Sequence, residues 1–172
     1  MLISNKTSEA LDELTGAYFD LNRTFDRAVS IMANVWAMPN AANIVHHKLA
    51  HLFPLLADKV TEIKDKYNLS SVYPETHRDD RTYANLEDMM SVLLKEMSDV
   101  YEMIKMIDGI VHENGDFMVH AELISIMKNH SIVFGQVVTL HDKSMQMPTD
   151  FDTYDRHIDS WGIDGIPEIT GD

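Results

Sequence analysis

Apolar side chains recur along this chain at steps of three and four residues over four long stretches. That spacing places them on one face of a helix and predicts amphipathic helices that pack side by side. The first two rows cover residues 11–35 and 49–67. The other two helices are predicted at about residues 85–112 and 117–144. Each helix is therefore expected to bury one face against the others.

The connections between these helices predict their directions. Pro39-Asn40 and Asn114-Gly115 mark short turns, so each hairpin that they close is expected to be antiparallel. Residues 69–83 show no periodicity and are too many for a tight turn, so we expect a crossover along the bundle. Pro54 lies inside the second helix, removes one backbone donor and predicts a kink there.

Composition limits the chemistry that the chain can perform. With 172 residues it can bury a sizeable core in one domain, and it contains no cysteine, which excludes disulfides and thiolate sites. Any metal ion must be bound by His, Asp and Glu, which suits iron, manganese or zinc. The formal net charge of −14 disfavours nucleic-acid binding and is compatible with attracting cations. Hydrolase motifs such as Gly-x-Ser-x-Gly, the P-loop and His-Glu-x-x-His do not occur.

The first residues lack a basic segment followed by an apolar one, and no run of about 18 apolar residues occurs. We therefore expect a cytoplasmic protein that does not bind membranes.

The periodic pattern stops at Pro148. Residues 148–172 carry seven acidic side chains against a single Arg156, together with the apolar Trp161 and Ile166. We expect an irregular acidic extension to a bundle domain of residues 1–147. Its apolar residues either pack on the bundle or a neighbouring subunit, which we favour, or serve as a docking peptide for a protein partner.

Polar residues inside or beside the apolar rows are candidate ligands for a metal ion. Glu96 interrupts a row of the third helix, and His130 lies at the centre of the fourth. Counting residues from the turns places Asp58 and His51 within a few helical turns of them, and His46 extends the second apolar row. Carboxylate and imidazole ligands from several helices suit an iron or manganese centre. We therefore predict these five residues as metal ligands; the alternative is a metal-free hydrogen bond between Glu96 and His130.

His47 and His51 lie four residues apart and share one helix face. Two histidines at this spacing either hold one metal ion or form a polar surface, and burial habits favour the surface.

Two antiparallel helical hairpins joined by a long crossover resemble the ferritin-like fold over about residues 7–144. Four segments are similar to motifs of the Dps-like branch: Met32-Ala33-Asn34-Val35, Val45-His46-His47, Asp58-x-x-x-Glu62 and Gly115-Asp116. The metal-ligand motifs diverge, because Met32 stands where that family has a histidine and no Glu-x-x-His occurs.

This resemblance implies an all-α, ferritin-like four-helix bundle that forms a homo-oligomer. It also implies a protein that binds metal, with iron the first candidate, and oxidises Fe(II) for storage or detoxification as a ferroxidase-type oxidoreductase. The alternative is a metal-free ferritin-like bundle that acts as a scaffold or interaction module through residues 148–172.

Overall fold

The computed structural model describes residues 2–170, and its main elements are long helices. The second bundle helix consists of two α-helices, α2 and α3, with a π-helical segment between them. The bundle is built from α1 (Asn5–Asn34), α2 (Pro39–Ile44), the π segment (Val45–Ala50), α3 (Leu52–Lys66), α4 (Leu86–Glu113) and α5 (Phe117–Gln146). Shorter elements follow: α6 (Phe151–His157), a 3₁₀ turn (Ile158–Ser160) and α7 (Pro167–Thr170).

The helices form the predicted bundle of two hairpins. α1 packs against α3, α4 packs against α5, and α1 and α3 join the hairpins through contacts with α4 and α5 respectively. Between α3 and α4 the described chain contains no helix, and this segment, residues 67–85, is called the crossover below. The predicted all-α four-helix bundle, with two hairpins joined by a crossover, is confirmed.

The predicted apolar rows meet in one continuous core. Phe25, Phe53, Met97 and Val133 are fully buried there, each contributed by a different bundle helix. Burying such side chains stabilises the fold by about 1.5–3 kcal/mol apiece, so the rows dictate which helix faces turn inward.

Two side-chain caps position the helix starts. The Ser4 hydroxyl accepts the backbone N–H of Thr7 at 3.1 Å, and the Asn85 side chain accepts that of Asp88 at 2.9 Å. The Asp116 carboxylate accepts the Thr7 hydroxyl at 2.5 Å and also bonds Ser4, so the start of α1 is joined to the start of α5. Burial raises the pKa of Asp116, but these hydrogen bonds outweigh it and the pKa is lowered.

The residues after Pro148 pack on the bundle and are more regular than expected. Asp150 caps α6 by accepting the Thr153 N–H at 3.1 Å. The buried Tyr154 donates its hydroxyl to the Leu140 carbonyl at 2.9 Å, and Asp155 accepts the Ala41 N–H at 2.7 Å. The favoured interpretation, in which the apolar residues of this segment contact the protein's own bundle, agrees with this packing.

Among residues 2–170, α5 is the one helix long and apolar enough to cross a membrane by length and composition alone. Core helices of soluble proteins pass the same test, and the apolar row of α5 is buried against the bundle.

Candidate metal centre

Three histidine rings converge on the second bundle helix. The ring centroids of His46 and His51 are 4.2 Å apart. The ring centroid of His47 lies 4.9 Å from that of His46 and 5.2 Å from that of His51. Each ring offers one nitrogen, and these three nitrogens all lie within 4.8 Å of one another. We call His46, His47 and His51 the histidine cluster.

The π-helical segment is what brings the histidine cluster together. In an α-helix, residues five apart lie about 140° apart around the axis, so His46 and His51 would point in different directions. Here the His51 N–H donates to the His46 carbonyl at 3.1 Å, an i to i+5 bond that widens the turn and stacks the two residues. His47 completes the cluster because it precedes His51 by four residues.

Pro54 gives a physical reason for this rewinding. A helical proline lacks an N–H, and its ring clashes with the carbonyl four residues earlier, here Ala50. The π segment ends at Ala50, and the Ala50 carbonyl instead accepts the side-chain N–H of Asn22 from α1 at 3.0 Å. The kink at Pro54 stays a prediction. The departure from α-helical winding lies one turn upstream of Pro54, and the buried Ala50 carbonyl keeps a partner.

A carboxylate orients one ring of the histidine cluster. His46 Nδ1 lies 3.1 Å from Asp26 Oδ1, which is contributed by α1. A proton on Nδ1 that is donated to Asp26 leaves the Nε2 lone pair for a metal ion. Metal-binding histidines are commonly held by such a carboxylate, which also makes the imidazole a stronger ligand.

The dimensions of the histidine cluster suit a small divalent ion after modest closure. Metal–nitrogen bonds of about 2.0–2.1 Å place ligand nitrogens roughly 3.3 Å apart in a tetrahedral site. His47 and His51 are exposed, and rotation of their side chains would bring the nitrogens to that spacing. A depression of about 440 Å³ borders them, with Thr170 of α7 on its rim. Three ligands next to open space would leave one coordination position for water or another ligand.

His130 points into the bundle core, as predicted, and has partners on both nitrogens. Its Nε2–H donates to the Met97 carbonyl at 2.8 Å, and its Nδ1 accepts the Tyr18 hydroxyl at 3.2 Å. Burial lowers the pKa of His130 despite the opposing effect of the bond to Met97. The imidazole is therefore neutral and held by protein groups.

Glu96 lies at the edge of the core, where it fastens the crossover. Its carboxylate accepts Arg81 at 2.5 Å and the Thr24 hydroxyl at 2.6 Å. Arg81 also pairs with Asp79, so four residues from α1, the crossover and α4 form one network. Burial raises the pKa of Asp79, but the hydrogen bonds from Arg81 outweigh it and the pKa is lowered. The alternative partner predicted for Glu96, His130, is bonded elsewhere.

Asp58 is exposed on α3 and belongs to no metal-sized cluster within residues 2–170. The structure thus brings together two of the five predicted ligands, His46 and His51, and adds His47. Metal binding by Glu96, Asp58 and His130 stays a prediction of the sequence alone, and the site proposed below does not include these residues. The sequence signal for His47 was its spacing of four residues from His51. α-Helical periodicity alone would point His46 and His51 in different directions, so it does not predict that all three histidines meet.

Solved structures that are similar to this chain include ferritins. A humanized archaeal ferritin matches with a TM-score of 0.83 at 12% identity, covering 91% of this chain and 95% of its own. The ferritin of the green alga Ulva pertusa gives 0.84 at 9% identity, covering 93% and 86%. An open pore ferritin from the archaeon Archaeoglobus fulgidus gives 0.84 at 12% identity, covering 91% and 96%. At these identities the likeness shows the fold alone. No family model and no curated protein sequence match the chain.

The residues of the bundle core do not fit a carboxylate-bridged metal pair. Ferritin-like di-iron proteins supply such a pair with inward glutamates and Glu-x-x-His motifs. Among the described residues no glutamate is buried, and each buried aspartate has a protein partner. These pairs are Asp12 with Lys64, Asp116 with Ser4 and Thr7, and Asp155 with the Ala41 amide.

Proposed function

We propose that this chain is a ferritin-like metal-binding protein whose site is the histidine cluster on the π segment, outside the bundle core. The observation that carries the proposal is the convergence of three ring nitrogens within 4.8 Å of one another. The rewound helix supports it, because π-helical turns inside α-helices occur frequently at functional sites.

The ligand chemistry narrows the choice of metal. Three neutral imidazoles suit zinc, copper, nickel or iron, and they disfavour magnesium and calcium, which prefer oxygen. Iron remains the first physiological candidate because the similar solved structures are ferritins. Oxidation of Fe(II) for storage or detoxification is the activity that this proposal implies, with an open coordination position available for the oxidant.

A titration of the full-length, untagged protein tests the proposal. Zn²⁺ binding is measured by calorimetry near neutral pH, for the wild type and for a His47→Ala/His51→Ala variant. We expect the variant to lose one tightly bound ion per chain, because a single imidazole cannot hold the metal alone. His157→Ala is the matched control, since His157 is an exposed histidine on α6 outside the cluster.

The same proteins are then given Fe²⁺ without oxygen, and oxygen is admitted afterwards. Oxidation faster than the buffer blank, and slower in the double variant, would support the ferroxidase-type activity. Equal zinc binding by the wild type and the double variant would contradict the proposed site.

The alternative function, a metal-free scaffold acting through residues 148–172, has less support. Tyr154, Ile158, Ile163 and Ile166 are buried against the chain's own bundle, so they are not available to a partner.

We also propose that the protein is a homo-oligomer, as the Dps-like resemblance implies, and that it is cytoplasmic. Large apolar side chains stay exposed on the single chain, including Val35, Tyr73 and Met118, and such residues often mark subunit contacts. Light scattering coupled to gel filtration measures the assembly state, and a monomeric mass would contradict the proposal.

A further inference from the structure

A second group of ligating side chains lies at the other hairpin, where α4 meets α5. His120 Nδ1 lies 2.6 Å from Asp108 Oδ1, and His112 Nε2 lies 3.6 Å from Asp108 Oδ2. The rings of His112 and His120 have centroids 4.7 Å apart. One ligand atom from each of the three residues lies within 4.8 Å of the others.

The local fold explains this convergence. Asp108 and His112 are four residues apart on α4, so they share one helix face. The turn after Glu113 reverses the chain, and Gly115 adopts a φ of 73° that favours glycine. Because α4 and α5 are antiparallel about this turn, His120 in the first turns of α5 lies level with Asp108.

The spacing is close to what a metal ion requires. In a tetrahedral site, ligand atoms lie roughly 3.3 Å apart. His112 Nε2 lies 3.6 Å from Asp108 Oδ2 and His120 Nδ1 lies 2.6 Å from Asp108 Oδ1, so an ion bound by all three side chains would replace the hydrogen bond that joins His120 to the carboxylate. Asp108 and His120 are partly buried, which limits the motion lost when an ion binds. The carboxylate also supplies a negative charge that the histidine cluster lacks.

We propose that Asp108, His112 and His120 form a second, independent metal site for a divalent ion that accepts both oxygen and nitrogen ligands, such as Zn²⁺ or Fe²⁺. Two imidazoles and one carboxylate are the ligand set of mononuclear zinc and non-haem iron sites. The bound ion would join the end of α4 to the start of α5 across the turn.

The test uses the full-length His47→Ala/His51→Ala variant, in which the histidine cluster is disabled. Calorimetry with Zn²⁺ should still show one ion per chain. Adding Asp108→Asn should weaken that remaining affinity at least tenfold, and adding His120→Ala should do the same. The matched control is Glu113→Gln, which removes an exposed acid from the same end of α4 and should leave the affinity unchanged.

The melting temperature provides a second test of this site. Zinc should raise the melting temperature of the His47→Ala/His51→Ala protein, because a ligand that binds only the folded state stabilises it. The rise should disappear with Asp108→Asn, whose metal-free melting temperature shows that the variant is folded.

Two results would overturn the second site: no zinc bound by the His47→Ala/His51→Ala protein, or bound zinc that is insensitive to both Asp108→Asn and His120→Ala. These outcomes are separate from the fate of the histidine cluster. If mutation at Asp108 removes zinc from the otherwise wild-type protein while mutation at His47 and His51 does not, the second site stands and the proposed function loses its site.

Discussion

At the scale of single residues, His130 shows how a buried polar group is accommodated without a metal ion. It is fully buried, it donates to the Met97 carbonyl, and it accepts from Tyr18, whose pKa is raised by burial. Both ring nitrogens are hydrogen-bonded in the neutral imidazole, and burial disfavours its charged form. Protonation would leave a buried positive charge facing the hydroxyl of Tyr18.

The lowered pKa of His130 predicts acid sensitivity. Below its ordinary value of 6.5 the unfolded chain takes up a proton at this residue that the folded chain does not. The free energy of unfolding should therefore fall as the pH decreases from 6.5 toward the lower pKa of the folded state, with a limiting slope of about 1.4 kcal/mol per pH unit from this residue. His130→Gln keeps a donor and an acceptor but cannot titrate.

Urea unfolding of the wild type and His130→Gln at about pH 7.5 and about pH 5.5 measures this effect. The wild type should lose more stability than the variant over this range. Equal losses would show that His130 titrates normally in the folded protein.

Among the secondary-structure elements, we expect the π segment to depend on Pro54, whose missing N–H leaves the Ala50 carbonyl without its α-helical donor. Pro54→Ala restores an N–H that can bond the Ala50 carbonyl, and it removes the ring clash that disfavours a regular α-helix. The turn is then free to rewind, which separates His46 from His51. We expect zinc affinity at the histidine cluster to fall about tenfold, or about 1.4 kcal/mol, without loss of thermal stability.

Calorimetry and thermal melting measure the two effects. Pro74→Ala is the control, because Pro74 lies in the crossover against Gly16 and not in a helix. Unchanged zinc affinity in Pro54→Ala would show that the proline does not maintain the histidine cluster.

Arg81 holds the crossover against the bundle, because it pairs with Glu96 of α4 as well as with Asp79 in the crossover itself. Arg81→Gln removes the charge that holds these carboxylates. Arg81 and Glu96 are both partly exposed, so the free energy of opening the crossover should fall by only about 1 kcal/mol. That decrease corresponds to about fivefold more frequent opening of the crossover.

Chymotrypsin cleavage in the crossover, which contains Tyr73 and Tyr83, should accelerate by about that factor. Arg78→Gln is the matched control, because Arg78 pairs only weakly with an exposed Asp80 at 3.5 Å. Similar cleavage rates for the two variants would contradict the anchoring role.

At the scale of the whole molecule, the fold was readable from the sequence because helical periodicity and loop length are local signals. The four apolar rows predicted the helices of the bundle, and the length of the crossover predicted how the two hairpins are connected. α6 was missed because it is short and is specified by the Asp150 cap and its packing, not by a long apolar row.

The candidate sites were harder to predict for physical reasons. Residue counting gives a level along the bundle but not the direction of a side chain. Glu96 was predicted to be an inward metal ligand, with a bond to His130 as the alternative, whereas its carboxylate pairs with Arg81. The histidine cluster requires a departure from α-helical geometry, which periodicity analysis excludes by assumption. The site of Asp108, His112 and His120 could have been predicted, because the same residue counting places His120 level with the part of α4 that contains Asp108.

The proposed position of the metal, at the histidine cluster on the π segment and outside the bundle core, can be observed directly. Anomalous diffraction from zinc-soaked crystals at the zinc absorption edge locates the ion directly. We expect a peak among His46, His47 and His51 and no peak between the four bundle helices. A peak beside His130 and Glu96, with none at the histidine cluster, would contradict it.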